Sequence, residues 1–182
     1  MIRQIPSRRG CLVAWLLFVA SNLPGCADDP AALSTGELPA PSGALFAAEV
    51  YPVLLRDCAF SACHGASERF LHLVGPGRTR LEATTKPDDP VTLAEVVHSY
   101  DRCRSMLAGS RDVQRTLLLG KPLAIESGGQ GHHGVDDFGR NLYATTRDPR
   151  YALLVRWASS RGLPPTAADV DALAAAAAVE GP

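Results

Sequence analysis

Apolar positions along this chain recur mostly at helical spacing. Leu45, Phe46, Val50, Val53 and Leu54 follow one another at intervals of one, three and four, which predicts a helix over about 43–57 with Ser42 as its N-cap. Pro52 falls inside that stretch and predicts a kink or a restart. A second amphipathic face is set out by Leu93, Val96, Val97, Tyr100, Cys103 and Leu107. Thr92 with Glu95 three residues on makes a capping box at its start, and Gly109 ends it. A short helix is predicted from Ser110 to Gly120, closed by Pro122. Asp148 and Pro149 open another that runs to about Ser160, with Tyr151, Leu154, Val155 and Trp157 on its packing face. From Pro165 to about Val179 the chain is alanine-rich, a composition that forms helix readily but buries little, so this helix is expected at the periphery. The connections at 66–91 and 121–147 are long, and the short apolar run Phe70–Val74 is broken by Gly75-Pro-Gly77. The fold expected is all-α: a small helical domain with long loops.

Candidate chemistry changes this picture at one place. The first helix delivers Cys58, and Cys63-His64-Gly65 follows after the four-residue spacer Ala59–Ala62. Two cysteines with a histidine beside the second is the pattern of covalent haem attachment: the thiols add to the vinyl groups and the adjacent imidazole reaches the iron. The common spacer is two residues rather than four. The same residues also suit a disulfide, between Cys58 and Cys63 or from either to Cys103, which otherwise reads as a small buried hydrophobe. Zinc is a third option, with Cys58, Cys63, His64 and a loop histidine as ligands.

A second loop carries ligand types. Ser127-Gly-Gly-Gln-Gly-His-His-Gly134 holds four glycines and two histidines, so backbone and imidazole can approach a partner closely there. His72 alternates with apolar neighbours and reads as a packing residue, as does Met106, while His98 lies between core and solvent.

The amino terminus adds a location. Arg3, Arg8 and Arg9 precede a ten-residue apolar run, Cys11–Ala20, too short to span a bilayer, so residues 1–25 read as a signal peptide. The run ends in Leu23-Pro-Gly-Cys26, which resembles a bacterial lipoprotein processing box and implies cleavage before Cys26 and diacylation of its thiol. Ala27 in the next position favours the outer membrane by the enterobacterial sorting habit. Residues 26–41 then read as a flexible tether, 42–162 as the domain, and 163–182 as the C-terminal helix. Taking the three leader arginines from 18 basic residues leaves 15 against 19 acidic ones, a net charge of −4 that excludes a broad nucleic-acid surface. The chain is thus expected to be exported and held to the cell envelope by lipid, in a compartment that permits both haem attachment and disulfides.

The run Phe46…Tyr51-Pro-Val-Leu-Leu…Cys58…Cys63-His64-Gly65 resembles the opening of cytochrome c-like lipoproteins of myxobacteria and planctomycetes, over roughly 46–160. Lys121-Pro-Leu123 and His132-His133-Gly134 resemble a later segment of the same family, with Val135 where that pattern has glycine. The resemblance implies a single-haem domain acting in electron transfer: haem c on Cys58 and Cys63, His64 as proximal ligand, and His132, or His133 beside it, as distal ligand. It names no redox partner. The competing reading is a haem-free, disulfide-stapled structural or interaction lipoprotein. No enzyme constellation stands out; Asp88-Asp89 and Asp136-Asp137 read as solvated loop carboxylates, and a Cys63–His64 nucleophile pair is badly placed by its adjacency.

Overall fold

A computed structural model describes residues 38–132 and 142–179. The leader, Cys26, nearly all of the tether and His133 lie outside the described residues. The first helix, α1, is made of Gly43–Leu45, Phe46–Val50 and Tyr51–Asp57 in unbroken succession, the middle piece widened to π geometry. Ser42 caps it, its hydroxyl accepting from the Leu45 N–H. Proline has no N–H to give an α-helical ladder, and here Pro52 stands in the first turn after the π stretch, where none is required. It marks a restart.

Helix α2 spans Leu93–Ser105 and begins with the expected capping box, Thr92 and Glu95 bonding each other's backbone. Its inward face is more polar than periodicity predicts. Leu93 is exposed, whereas Glu95 and Ser99 are buried with Val96, Tyr100 and Cys103. Both have partners from the irregular segment before the helix: Ser99 Oγ accepts from the Val74 N–H at 3.3 Å, and Glu95 takes Arg80. Buried polar groups persist where such bonds exist.

The helix expected over Ser110–Gly120 is two pieces, a 3₁₀ turn Val113–Arg115 and the short helix α3, Leu117–Gly120. Thr116 separates them in an extended conformation and donates its hydroxyl to the Val113 carbonyl at 2.6 Å, a local bond that competes with the helical ladder. Helix α4, Pro149–Ser159, starts under the Asp148 cap as expected. Helix α5 is Ala167–Val179. It is peripheral, with Val170 the one buried side chain among those described along it. Among the described residues there is no strand, only an isolated parallel bridge between Leu123 and Tyr143. The architecture is all-α.

The core lies between α1, α2 and α4 and is aromatic at its centre. Phe46 meets Trp157 at 5.1 Å and Tyr100 edge-on at 5.4 Å between ring centres, spacings at which aromatic pairs attract. The Trp157 indole N–H donates to the Ser42 carbonyl, and the Tyr100 hydroxyl to the Pro41 carbonyl. The entry of α1 is thereby fixed to both other helices, and its far end carries Cys58. No helix among the described residues is long and apolar enough to cross a membrane.

Candidate functional site

The loop Cys58–Gly65 closes on its own backbone. Cys58 caps α1, its N–H bonded to the Leu54 carbonyl, and Ala59 follows fully buried with a bond to the same carbonyl. The chain then doubles back: the Phe60 carbonyl accepts from both Cys63 and Gly65, and the Cys58 carbonyl accepts from His64 at 3.1 Å. The four-residue spacer thus forms a tight turn that returns the second cysteine and its histidine beside the first. Gly65 is required by space, since a Cβ there would lie 2.5 Å from the Ala59 carbonyl oxygen. A bond from the Leu73 N–H to the His64 carbonyl, 2.7 Å, holds the loop from behind.

Cys58 and Cys63 are half-buried free thiols, and Cys103 is a fully buried one. Burial, with the Asp57 carboxylate and Cys63 adding to it, pushes the Cys58 thiol up to about 12. Burial likewise raises Cys103, which feels Cys58. Cys103 faces inward as its helical position predicts.

His64 is oriented from one side. Its Nδ1 lies 2.9 Å from the Leu71 carbonyl oxygen, an atom that can only accept, so Nδ1 carries the proton and Nε2 presents its lone pair. Burial lowers the His64 pKa against the opposing pull of that carbonyl, and His132 and Arg69 lower it further. The ring is therefore neutral near pH 7, the form a metal requires. The imidazole of His132 faces it with ring centres 5.9 Å apart and planes 34° from parallel. Two imidazole nitrogens on opposite sides of one ion, each about 2.0–2.1 Å from it, set the ring centres roughly 6.3–6.5 Å apart, and two at a tetrahedral angle roughly 5.2 Å, so 5.9 Å lies between the two arrangements. The two loops singled out in the sequence are therefore brought together through His64 and His132.

Asp57, next to Cys58, is a functional neighbour that sequence reasoning missed. Its carboxylate is nearly buried and accepts from Arg150 at 3.2 Å and from Arg56 at 2.8 Å, with the Tyr143 hydroxyl 3.5 Å away. Arg150 also grips Asp148 at 2.7 Å and stacks over the Tyr143 ring. This network ties the start of the loop to the start of α4. An acid beside a cysteine and an Asp-Pro-Arg helix start were its only signals, each too common to connect.

The donor set fits haem in its chemistry: two thiols not joined to each other, an imidazole with its outer nitrogen tied to a backbone carbonyl, and a second imidazole opposite. Cavities of about 430 and 390 Å³ exist elsewhere, and neither is lined by Cys58, Cys63, His64 or His132. Among the described residues no three His, Cys, Asp or Glu side chains group closely enough to hold a metal ion, and His133, the other loop histidine, lies outside them. No protein-family model, no curated protein and no solved structure matches this chain.

Proposed function

We propose that this chain is an exported, lipid-anchored, monohaem c-type cytochrome-like protein acting in electron transfer. The observation that carries the reading is the meeting of His64 and His132 at 5.9 Å beside two unjoined thiols, Cys58 and Cys63. Cys58 and Cys63 would each add S–H across a vinyl group, forming the two thioether links. His64 Nε2 would be the proximal ligand and His132 the distal one. Haem bound there supplies a one-electron iron couple, and two imidazole ligands leave no position open for oxygen or peroxide. The Leu71 carbonyl fixes the His64 tautomer and ring plane, and the Asp57–Arg150 bond fixes the end of α1 that bears Cys58. Lipid on Cys26 and the leader before it complete the expected placement in the cell envelope.

One feature orders the steps of assembly. A thiol held up to about 12 is almost wholly protonated at neutral pH and a poor nucleophile. Attachment at Cys58 is then expected on the unfolded chain, before the loop closes.

A second reading is favoured by the thiols themselves: Cys58 and Cys63 are free on one tight turn, Cys58 feels Cys63, and Cys103 feels Cys58. That protein would be a haem-free, disulfide-stapled structural or interaction lipoprotein. Expression with a c-type maturation system, followed by absorption and mass spectrometry, separates the two. A Soret band with haem mass on the Cys58–Cys63 peptide supports the cytochrome, and His132→Ala then changes its ligation spectrum. A colourless protein lighter by two hydrogens overturns the cytochrome and leaves the staple.

A further inference from the structure

His72 and His98 form a contact that the haem reading does not use. His98 Nε2 lies 3.2 Å from His72 Nδ1, and the rings meet edge to face at 5.1 Å between centres. His98 stands on α2, and His72 on the irregular segment that follows the Cys58–Gly65 loop. The outer nitrogen of His72, Nε2, is buried without a well-formed hydrogen bond, and the Gly65 backbone pulls the ring's pKa upward against burial. Arg102 lies near both rings, with Asp101 towards His98 and Glu68 towards His72 as the facing acids. A guanidinium beside both imidazoles disfavours a metal cation there and equally disfavours added protons.

A contact between two ring nitrogens needs one hydrogen between them and a lone pair to receive it. A neutral pair satisfies this, and a pair carrying one added proton still does, by choice of tautomer. With two added protons both nitrogens bear hydrogen and both rings are positive, and the contact cannot persist at 3.2 Å. We propose that His72 and His98 form a clamp that tolerates at most one positive charge, closing residues 66–72 on α2 at neutral pH and releasing them in acid.

The release has a defined extent and a defined consequence. Val74 stays anchored, its carbonyl accepting from the Tyr51 hydroxyl at 2.7 Å and its N–H donating to Ser99. The freed stretch therefore ends just before Leu73 and Val74. It includes Leu71, whose carbonyl orients His64, so opening the clamp unfixes the His64 ring. Burial lowers both clamp histidines below the usual imidazole value, in line with a closed state that resists protons. The open state takes two protons below about pH 6.5 and the closed state at most one, so acid favours opening by at least about tenfold per pH unit. The clamp stands whether or not haem is attached.

The test is a side-chain 15N NMR titration of the histidines in the full chain from pH 8 to pH 4, with amide exchange followed at residues 66–72. Expected are two coupled titrations below 6.5 at His72 and His98, and protection of the Arg69 amide, which bonds the Ala66 carbonyl, falling at least about tenfold per pH unit across them, after correction for intrinsic exchange. The double variant His72→Gln/His98→Gln should lose that acid-dependent step. Independent titration of the two rings near 6.5 with the contact kept overturns the clamp. So does an acid step in residues 66–72 that is unchanged in the double variant. Should the variant not fold, the wild-type titration decides alone.

Discussion

The segment around Arg80 and the loop Cys58–Gly65 are both irregular backbone set against helices, yet they treat their polar groups in opposite ways. Arg80 and Glu95 are almost fully buried and joined bidentately, Nε to Oε1 at 2.6 Å and Nη2 to Oε2 at 2.9 Å. The remaining guanidinium hydrogens go to the carbonyls of Lys86, Asp89 and Pro90, and Glu95 also receives the backbone N–H of Leu81 and Thr92. Every donor there has an acceptor inside the protein. At the Cys58–Gly65 loop the N–H groups of Cys58, Ala59, Cys63, His64 and Gly65 are bonded within the backbone, while Cys58 and Cys63 are free thiols and His64 is held through Nδ1. A closed network holds a segment in place.

The comparison breaks most severely at the closed network. Arg80→Ala leaves the Glu95 carboxylate buried without its partner, and losing one member of a buried pair costs about 3–5 kcal/mol. A matching fall in the urea midpoint at unchanged slope is expected, and a loss below about 1 kcal/mol would make this pair a surface contact in effect. The thiols give the contrast: Cys63→Ser, at a half-buried position, should move stability by less than about 0.5 kcal/mol while, under the proposed cytochrome reading, removing one thioether link.

The loop's own rigidity is tested at Gly65. An alanine methyl there meets the Ala59 carbonyl oxygen, which is backbone of a fully buried residue and cannot swing aside. Overpacking of this kind costs about 1–3 kcal/mol. Thermal unfolding should show that loss and, under the proposed cytochrome reading, haem retention should fall as the turn that returns His64 to Cys58 is forced open. Gly77→Ala is the control, since a methyl there meets nothing and only its left-handed backbone opposes it.

What could be read from the sequence divides along the same line. The Ser42 and Asp148 caps, the Thr92–Glu95 box and the inward Cys103 were legible because each is a local pattern, spanning a few residues of one helix. The ligand types at Cys58, Cys63, His64 and His132 were legible as chemistry. Their supports were not. Glu95 reads as a capping residue, and nothing local says that Arg80, fifteen positions earlier, will bury against it. His98 and His72 each look idle in sequence and meet only because the loop folds back across twenty-six residues. The Leu71 carbonyl that orients His64 is backbone and leaves no trace in residue identity at all.

The smallest effect is also the most specific to the open site. Asp57 is the first charged contributor to the raised pKa of Cys58 after burial itself, so Asp57→Asn should lower that pKa without returning it to an ordinary value. Alkylation of Cys58 by iodoacetamide at fixed pH is then expected to accelerate about three- to tenfold, as the thiolate fraction rises. Losing the Arg150 bond also loosens the end of α1, at a cost of about 1 kcal/mol, and looser packing by itself admits reagent. Cys103 separates the two causes. It is fully buried, is raised by burial and by Cys58, and has no contribution from Asp57. A purely electrostatic effect shifts the pH–rate profile of Cys58 to lower pH and leaves Cys103 inert. Equal acceleration at both thiols with no shift in profile would mean that Asp57 holds the helix end together and does nothing to the thiol beside it.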